Sequence, residues 1–180
     1  MVEEMIEWYG RIYGTRSVIL RYFNAAGALP DGSLGEAHVH ESHIIPIALE
    51  VASGKREKFE LYGNDYETPD GTCIRDYIHV VDLASAHLKA AQYLSRGGDS
   101  TAINLGVGKG YSNLEVLDTV ERVTGQKVTR SFAPRRPGDP AKLWADNQKA
   151  RTVLGWEPKY PELTTIIETA WKWHGKHSSW

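Results

Sequence analysis

Cysteine is nearly absent from the 180-residue sequence: Cys73 is the only one, so the chain cannot close an internal disulfide. No set of cysteines and histidines has zinc-ligand spacing, and we expect no bound metal. No apolar stretch approaches the roughly 18 residues that a membrane span needs. Residues 1–6 carry acids where a signal peptide carries bases. These absences predict a cytoplasmic protein that does not contact a membrane.

Neither sign of charge dominates the sequence. It holds 21 Lys and Arg against 23 Asp and Glu, a formal net charge of -2, and it has no block of about five like charges. Such a chain has no electrostatic footprint for nucleic acid. Hydrophobic residues make up 41%, which is ordinary for a globular domain with its own core. An anionic ligand would therefore be met by a few placed cations.

Helical and extended patterns alternate along the chain. Residues 1–15 carry apolar side chains at helical spacing, and residues 17–23 form a β-branched and aromatic run that we interpret as a buried strand followed by a loop at 24–35. Asp82 is placed to cap the helix predicted at 83–94, and Ser112 and Glu115 have capping-box spacing at the start of another helix. Further strands are predicted at 58–62, 102–105 and 128–132, and further helices at 44–53, 83–94 and 163–174. This interleaving predicts an α/β fold.

A glycine-rich turn imitates a dinucleotide-binding fingerprint. Gly106, Gly108 and Gly110 follow a predicted strand and precede a helix. The fingerprint G-x-G-x-x-G needs its third small residue at position 111, which is Tyr111, and no acidic residue follows at the required distance. We interpret the segment as a tight strand-to-helix turn without a cofactor.

Arginines provide the stronger functional signal. Arg75 stands between a turn-rich loop and an apolar segment, and Arg135 and Arg136 lie in a turn stiffened by two prolines and a glycine. Guanidinium groups match phosphate oxygens in bidentate geometry, so arginines on rigid loops can hold a diphosphate. The alternatives are that Arg75 pairs at the surface with Asp70 or Asp76 and that the arginine pair is a solvated basic turn.

Two further residues allow both a functional and a structural interpretation. Tyr62 ends a predicted strand, where its ring could cover a pyrimidine while the backbone pairs with the base edge, or could be an ordinary core aromatic. His43 stands at a helix start and could close over a ligand or have no role there.

Five segments, in this order, resemble the UDP-glucose 4-epimerase family of extended short-chain dehydrogenases/reductases. They are 20–28 (LRYFNAAGA), 41–46 (ESHIIP), 61–80 (LYGNDYETPDGTCIRDYIHV), 104–108 (NLGVG) and 133–139 (APRRPGD). The resemblance covers nearly the whole chain and implies the C-terminal, substrate-binding half of an NAD(P)-binding Rossmann-like enzyme, with the N-terminal half missing. Residues 1–40 would be the tail end of the Rossmann-like domain. Residues 41–180 would bind the UDP-sugar, with segments that return to the Rossmann-like sheet.

The resemblance also implies contacts to each part of a UDP-sugar. Asn24, Arg75 and Arg136 match the contacts to the diphosphate, and His43 and Ile44 match the segment that closes over the nucleotide. Glu60, Leu61 and Tyr62 match the strand that binds uracil. Asp139 matches a position near the ribose, and Leu143 matches a position in the sugar pocket. Phe23 matches a position beside the nicotinamide of the cofactor. Position 143 bears on whether an N-acetylated sugar fits, and leucine stands there where the family has tyrosine.

The implied activity is NAD-dependent interconversion of UDP-glucose and UDP-galactose, in galactose metabolism, by a homodimeric enzyme. A tyrosine, tuned by a lysine four residues later, removes the 4-hydroxyl proton while NAD takes the C4 hydride. No Tyr-x-x-x-Lys occurs in this sequence, and we therefore name no catalytic residue and expect the chain alone to be inactive. In the family the Tyr-x-x-x-Lys motif ends just before the position of Met1. The helix predicted at residues 1–15 would therefore continue the helix that carries this motif.

Two other interpretations remain open. A related sugar-nucleotide epimerase or dehydratase would share the Arg75 region, although residues 64–71 argue against it because dehydratases resemble the chain only around the Arg-Asp pair. A non-catalytic fragment that binds nucleotide sugars would also fit a chain without a general base.

Overall fold

A computed structural model describes residues 1–176 of the chain and shows an α/β fold. The helices are α1 (Val2–Tyr13), α2 (Ile44–Ala52), α3 (Val80–Ser95), α4 (Asn113–Thr124), α5 (Gln148–Leu154) and α6 (Leu163–Lys176). The strands are β1 (Val18–Tyr22), β2 (Asn24–Ala26), β3 (Phe59–Tyr62), β4 (Ile74–Arg75), β5 (Tyr77–His79), β6 (Thr101–Leu105), β7 (Tyr111–Ser112), β8 (Arg130–Ala133) and β9 (Lys142–Leu143). Within the described residues no helix combines the length and hydropathy of a membrane span.

Most strand pairs are parallel and join distant parts of the chain. β1 pairs with β6, β2 with β5 and β3 with β8, each in parallel, while β4 lies between antiparallel β7 and parallel β9. Strands of residues 1–40 thus pair with strands of the following segment. The division at residue 40 stays a prediction, and the last four residues of the range 41–180 lie outside the described part.

Two apolar cores hold the elements together. The first lies among α2, α4, α6 and β3. The second lies between α3, α5 and β6, and its largest fully buried side chain is Trp156, whose indole Nε1 donates to the backbone oxygen of Asp82 at 3.0 Å. Burial of an aromatic side chain of this size is a major stabilising contribution to a small core.

The interpretation of residues 24–35 as a loop throughout is wrong at its start. Asn24–Ala26 forms β2, which pairs in register with β5, so that Asn24 faces Tyr77. The Asn24 side chain also donates to the backbone oxygen of Asp76 at 2.9 Å. An Asn-Ala-Ala segment has little intrinsic strand propensity, so its extended form comes from pairing that the local sequence does not encode.

Asp82 does not cap α3. The helix begins at Val80, and the ring of His79 accepts the backbone N–H of Val81 at 3.1 Å. The buried Asp82 carboxylate instead accepts the backbone N–H groups of Lys159 and Tyr160, at 2.8 and 2.9 Å. It therefore joins the first turn of α3 to the segment before α6. The capping box of Ser112 and Glu115 on α4 is confirmed.

Helix α1 presents its apolar side chains to solvent. None of its residues, all of them within the described part of the chain, is buried, and Met5, Tyr9 and Ile12 are each more than half exposed. Strand β1 was predicted as buried, but it pairs with β6 alone among the described strands and its residues are half-buried or exposed. A sheet edge and an apolar helix face therefore lie open side by side.

We expect the isolated chain to self-associate or to unfold partly in solution, because the apolar face of α1 and the open edge of β1 are exposed to solvent. Size-exclusion chromatography with light scattering should show species larger than a monomer, or dye binding should report exposed apolar surface. Replacing Met5 and Ile12 together by Glu should reduce both signals, whereas Glu7→Gln on the same helix should not. A monodisperse monomer that melts cooperatively would contradict this expectation.

Candidate functional site

A cavity of about 590 Å³ opens among the elements predicted to bind substrate. Its wall is built by β2, the start of α2, β3, β4 and the loop between β8 and β9. All predicted substrate contacts except Leu143 line it: Asn24, His43, Ile44, Glu60, Leu61, Tyr62, Arg75, Arg136 and Asp139. The structure thus brings together residues that are more than 100 positions apart in the sequence.

Strand β3 gives the cavity an open backbone edge. The strand pairs with β8 alone among the described strands, so its other edge is available for hydrogen bonds to a planar base. Leu61 points into the core and is 1% exposed, whereas Glu60 and Tyr62 lie at the cavity side. The hydroxyl of Tyr62 donates to Glu60 Oε2 at 2.6 Å, which fixes both side chains.

Arg75 is held in the cavity wall with 12% of its side chain exposed. Its guanidinium Nη1 donates to the backbone oxygen of Ile74 at 2.7 Å, and Nη2 forms an ion pair with the Asp139 carboxylate. The alternative that it pairs with Asp70 or Asp76 is wrong. Those two carboxylates accept from the backbone around Thr72 and from the turn that follows β6, respectively.

Arg136 lies on the opposite loop with a less constrained guanidinium. It stacks over the ring of Tyr62 at 4.0 Å from the centroid, and no carboxylate of residues 1–176 lies within ion-pair distance of it. Arg135 is engaged elsewhere: its Nε donates to Asp65 at 2.6 Å and its guanidinium covers Tyr66. The two neighbouring arginines are both exposed, but each has its own aromatic partner, and of the two only Arg136 lines the cavity.

His43 stands immediately before α2 and lines the cavity together with Ile44. Its side chain makes no capping bond to the helix; its Nδ1 lies 3.0 Å from the carboxylate of Glu41 instead. The ring is more than half exposed, whereas Ile44 is half-buried against the first core. This places the start of α2 at the rim of the cavity.

Leu143 and Phe23 do not line this cavity. Leu143 is 46% exposed on β9, directly opposite Arg75 in the strand register. Phe23 lies between β1 and β2 and its backbone N–H donates to the oxygen of Leu105 at 3.3 Å. Their predicted roles toward the sugar and the nicotinamide stay predictions.

Sequence reasoning missed several residues of the wall, among them Arg56, Lys58 and Asn113. Two basic residues on either side of Glu57, just before β3, carry no recognisable motif, and only the fold places them in the same cavity wall as Arg136. Cys73 is also in the wall. Burial raises the pKa of its thiol, and nearby Asp139 adds to this while Arg75 opposes it, so the thiol is not activated.

The glycine turn after β6 is folded around a carboxylate. The backbone N–H groups of Val107 and Gly108 donate to Asp76 at 2.9 and 3.0 Å. A Cβ at Gly106 would meet Ala145 Cβ at 2.6 Å as well as the Asp76 carboxylate. Gly106 is thus explained by close packing on Asp76, Gly108 by its positive φ of 80° and Gly110 by its approach to the Ile74 side chain. The Asp76 carboxylate takes the backbone N–H groups that a cofactor phosphate would bind in a fingerprint.

The family model for GDP-mannose 4,6 dehydratase matches residues 1–169. The chain belongs to this family. The curated relative from Halalkalibacterium halodurans, a UDP-glucose 4-epimerase, is 54% identical over 98% of this chain and 53% of its own length. The chain therefore spans about half the length of the curated relatives it matches.

Solved structures give the same result. A UDP-glucose 4-epimerase from Brucella ovis in complex with NAD superposes with a TM-score of 0.91 at 50% identity, over 94% of this chain and 52% of that one. The enzyme from Bifidobacterium longum in complex with NAD+ and UDP gives 0.91 at 36% identity, over 98% and 52%. The family member described here thus has the fold of half of an extended short-chain dehydrogenase/reductase.

Proposed function

We propose that the cavity binds a UDP-sugar and that the chain is the substrate-binding part of an NAD-dependent UDP-glucose 4-epimerase, which interconverts UDP-glucose and UDP-galactose. The observation that carries the proposal is the convergence of Arg75, Arg136 and the open edge of β3 on one cavity. In this arrangement the backbone of β3 would pair with the uracil edge while the two guanidinium groups neutralise the diphosphate.

The charges in the cavity support this assignment. Asp139 holds Arg75 in place, and Tyr62 holds the Arg136 guanidinium at 4.0 Å through a cation–π contact. Both cations are thereby pre-oriented, which lowers the side-chain entropy that binding would otherwise cost. Asp139, which the resemblance places near the ribose, would then accept from a ribose hydroxyl as well as from Arg75.

Within residues 1–176, the glycine-rich turn that resembles a fingerprint packs on the Asp76 carboxylate, which accepts the backbone N–H groups that a cofactor phosphate would need. We propose that the NAD of the whole enzyme is held mostly by residues beyond these 180, with Phe23 beside its nicotinamide. We further propose that the whole enzyme is a homodimer that acts in galactose metabolism. We also propose a cytoplasmic location, because the sequence has a single cysteine.

A second candidate is a non-catalytic domain that binds nucleotide sugars. The absence of Tyr-x-x-x-Lys from the sequence favours it, since the cavity could bind a UDP-sugar without turning it over. A family dehydratase is a weaker candidate, because the relatives similar over nearly the whole chain are UDP-glucose 4-epimerases. Binding experiments test the shared site, and turnover experiments separate the candidates.

Removing either cavity arginine should weaken UDP binding. With the chain joined to the N-terminal half of a similar epimerase, Arg75→Ala or Arg136→Ala should each cost about 1.5 to 3 kcal/mol, the scale for hydrogen bonds to charged groups. UDP-glucose and UDP-galactose should be affected alike, because the diphosphate contact is independent of the sugar. Titration calorimetry with UDP measures the loss.

Arg135→Ala is the matched control, because Arg135 neighbours Arg136 in the same loop but pairs with Asp65. It should leave UDP affinity within about twofold of the parent, since exposed ion pairs contribute little. If Arg75→Ala leaves UDP affinity unchanged while the protein stays folded, the phosphate assignment is wrong. Arg75 would then be only the structural partner of Asp139.

Leu143 should affect the sugar alone. Leu143→Tyr in the joined enzyme should reduce turnover of N-acetylated UDP-sugars, because the larger ring occupies space that leucine leaves open, and should leave UDP affinity nearly unchanged. Turnover of plain and N-acetylated substrates, measured beside UDP competition, checks both parts. An equal loss of turnover for plain and N-acetylated substrates would mean that Leu143 is not part of the sugar pocket.

A further inference from the structure

The loop that precedes α2 gathers two histidines and two glutamates. One ligand atom from each of Glu36, His38, Glu41 and His43 lies within 4.8 Å of all the others. None of the phosphate or uracil assignments uses this cluster, although Glu41 and His43 also line the cavity. Of the four, only His43 has an assigned role, in covering the nucleotide, so the proposed function leaves the gathering of the other three around it unexplained.

Both imidazoles direct the same ring nitrogen at the same pair of carboxylates. His43 Nδ1 lies 2.6 Å from Glu36 Oε1 and 3.0 Å from Glu41 Oε1. His38 Nδ1 lies 3.0 Å from Glu36 Oε1 and 3.5 Å from Glu41 Oε2. Each Nδ1 carries at most one proton, so each ring can give only one undivided hydrogen bond to this pair of carboxylates. A cation among the four ligand atoms would interact favourably with both carboxylates at once.

The distances suit a transition-metal ion. Bonds of about 2.1 Å in tetrahedral geometry place neighbouring ligand atoms about 3.4 Å apart. The nitrogen-to-oxygen separations of 2.6 to 3.5 Å lie on both sides of that value, and all four ligand atoms lie within 4.8 Å of one another. Small side-chain rotations would bring the set to tetrahedral spacing. Imidazole nitrogen combined with carboxylate oxygen favours zinc-type ions, whereas magnesium and calcium prefer oxygen ligands throughout.

The Glu41 carboxylate and the Glu36 backbone are held before any ion binds, and the histidines are accessible to solvent. Glu41 is 7% exposed, and its Oε1 accepts the backbone N–H groups of Ser42 and His43, both at 2.7 Å. The backbone oxygen of Glu36 accepts from Trp173 Nε1 at 2.9 Å. The two imidazoles are more than half exposed. Hydrogen bonds that orient the ligands in this way raise metal affinity.

We propose that Glu36, His38, Glu41 and His43 bind one divalent zinc-type ion, which fixes the loop before α2 at the rim of the cavity. This proposal departs from the sequence-based expectation of no bound metal. Half of the donors are carboxylates, and all four lie in an irregular loop, so patterns of cysteine and histidine spacing do not detect them.

Titration calorimetry of the untagged chain tests the site with Zn²⁺, and Co²⁺ is the spectroscopic probe. We expect one equivalent to bind, with the visible absorption of tetrahedral Co²⁺ and a rise in melting temperature that a chelator reverses. Glu36→Gln and His38→Ala should each weaken binding by roughly tenfold or more, since even the residues that support metal ligands contribute that much.

His40→Ala is the matched control, because His40 is exposed in the same loop and does not belong to the cluster. It should leave Zn²⁺ affinity unchanged. Circular dichroism should show that the variants keep the parent's secondary structure. Absence of stoichiometric binding, equal weakening by His40→Ala, or equal affinity for Mg²⁺ would overturn the proposal, since each would mean that no selective site is formed by these four side chains.

Discussion

The 180-residue chain alone is expected to show no interconversion of UDP-glucose and UDP-galactose. The proposed reaction needs a group to remove the 4-hydroxyl proton and a cofactor to accept the hydride. The sequence contains no Tyr-x-x-x-Lys, and its glycine-rich turn is occupied by Asp76. Loss of both contributions removes the chemical step and does not merely slow it.

A coupled assay for UDP-glucose formed from UDP-galactose, with NAD supplied, measures the expected result. The chain should not exceed a blank without protein. The same chain joined to the N-terminal half of a similar epimerase should be active, which shows that the substrate site was intact. Turnover by the chain alone would mean that another general base lies in the cavity, and the assignment of its residues to binding would have to be revised.

The long helices could be predicted from the sequence because their signals are local. The apolar spacing of residues 163–174 and the capping box at Ser112 each depend on a few neighbouring residues, and the structure places α6 and α4 there. The short strands could not be predicted. β4, β7 and β9 have two residues each and owe their extended form to pairing across the chain.

The candidate site shows the same division. Arg75 and Arg136 can be singled out from the sequence because one follows a turn-rich loop and the other lies in a turn with two prolines and a glycine, whereas the role of β3 as an open edge depends on which strands pair with it. The pairing of Arg75 with Asp139 and of Arg136 with Tyr62 is seen only in the fold. Side chains that meet through tertiary structure, such as Arg75 and Asp139, have no signature in the local sequence.

Asp76 shows how one buried carboxylate connects several parts of the fold. It is fully buried, and its oxygens accept the backbone N–H groups of Val107, Gly108 and Ala145 at 2.9, 3.0 and 3.1 Å. Burial raises the pKa of Asp76, and these three donors partly oppose the shift because they favour the charged form. The carboxylate thereby joins the strand that carries Arg75 to the glycine turn and to the segment after β9.

Asp76→Ala should therefore reduce the free energy of unfolding by about 3 kcal/mol or more, since hydrogen bonds to a charged group contribute about 1.5 to 3 kcal/mol each and the N–H of Ala145 stays buried. Asp76→Asn should lose less, because its amide oxygen can still accept from one or two of the donors. Asp65→Ala is the control: that side chain is 68% exposed in its pair with Arg135 and should cost less than about 1 kcal/mol. Urea unfolding of the chain joined to an N-terminal half measures all three. A loss for Asp76→Ala no larger than that for Asp65→Ala would mean that the turn folds without the carboxylate, because water then satisfies its backbone groups equally well.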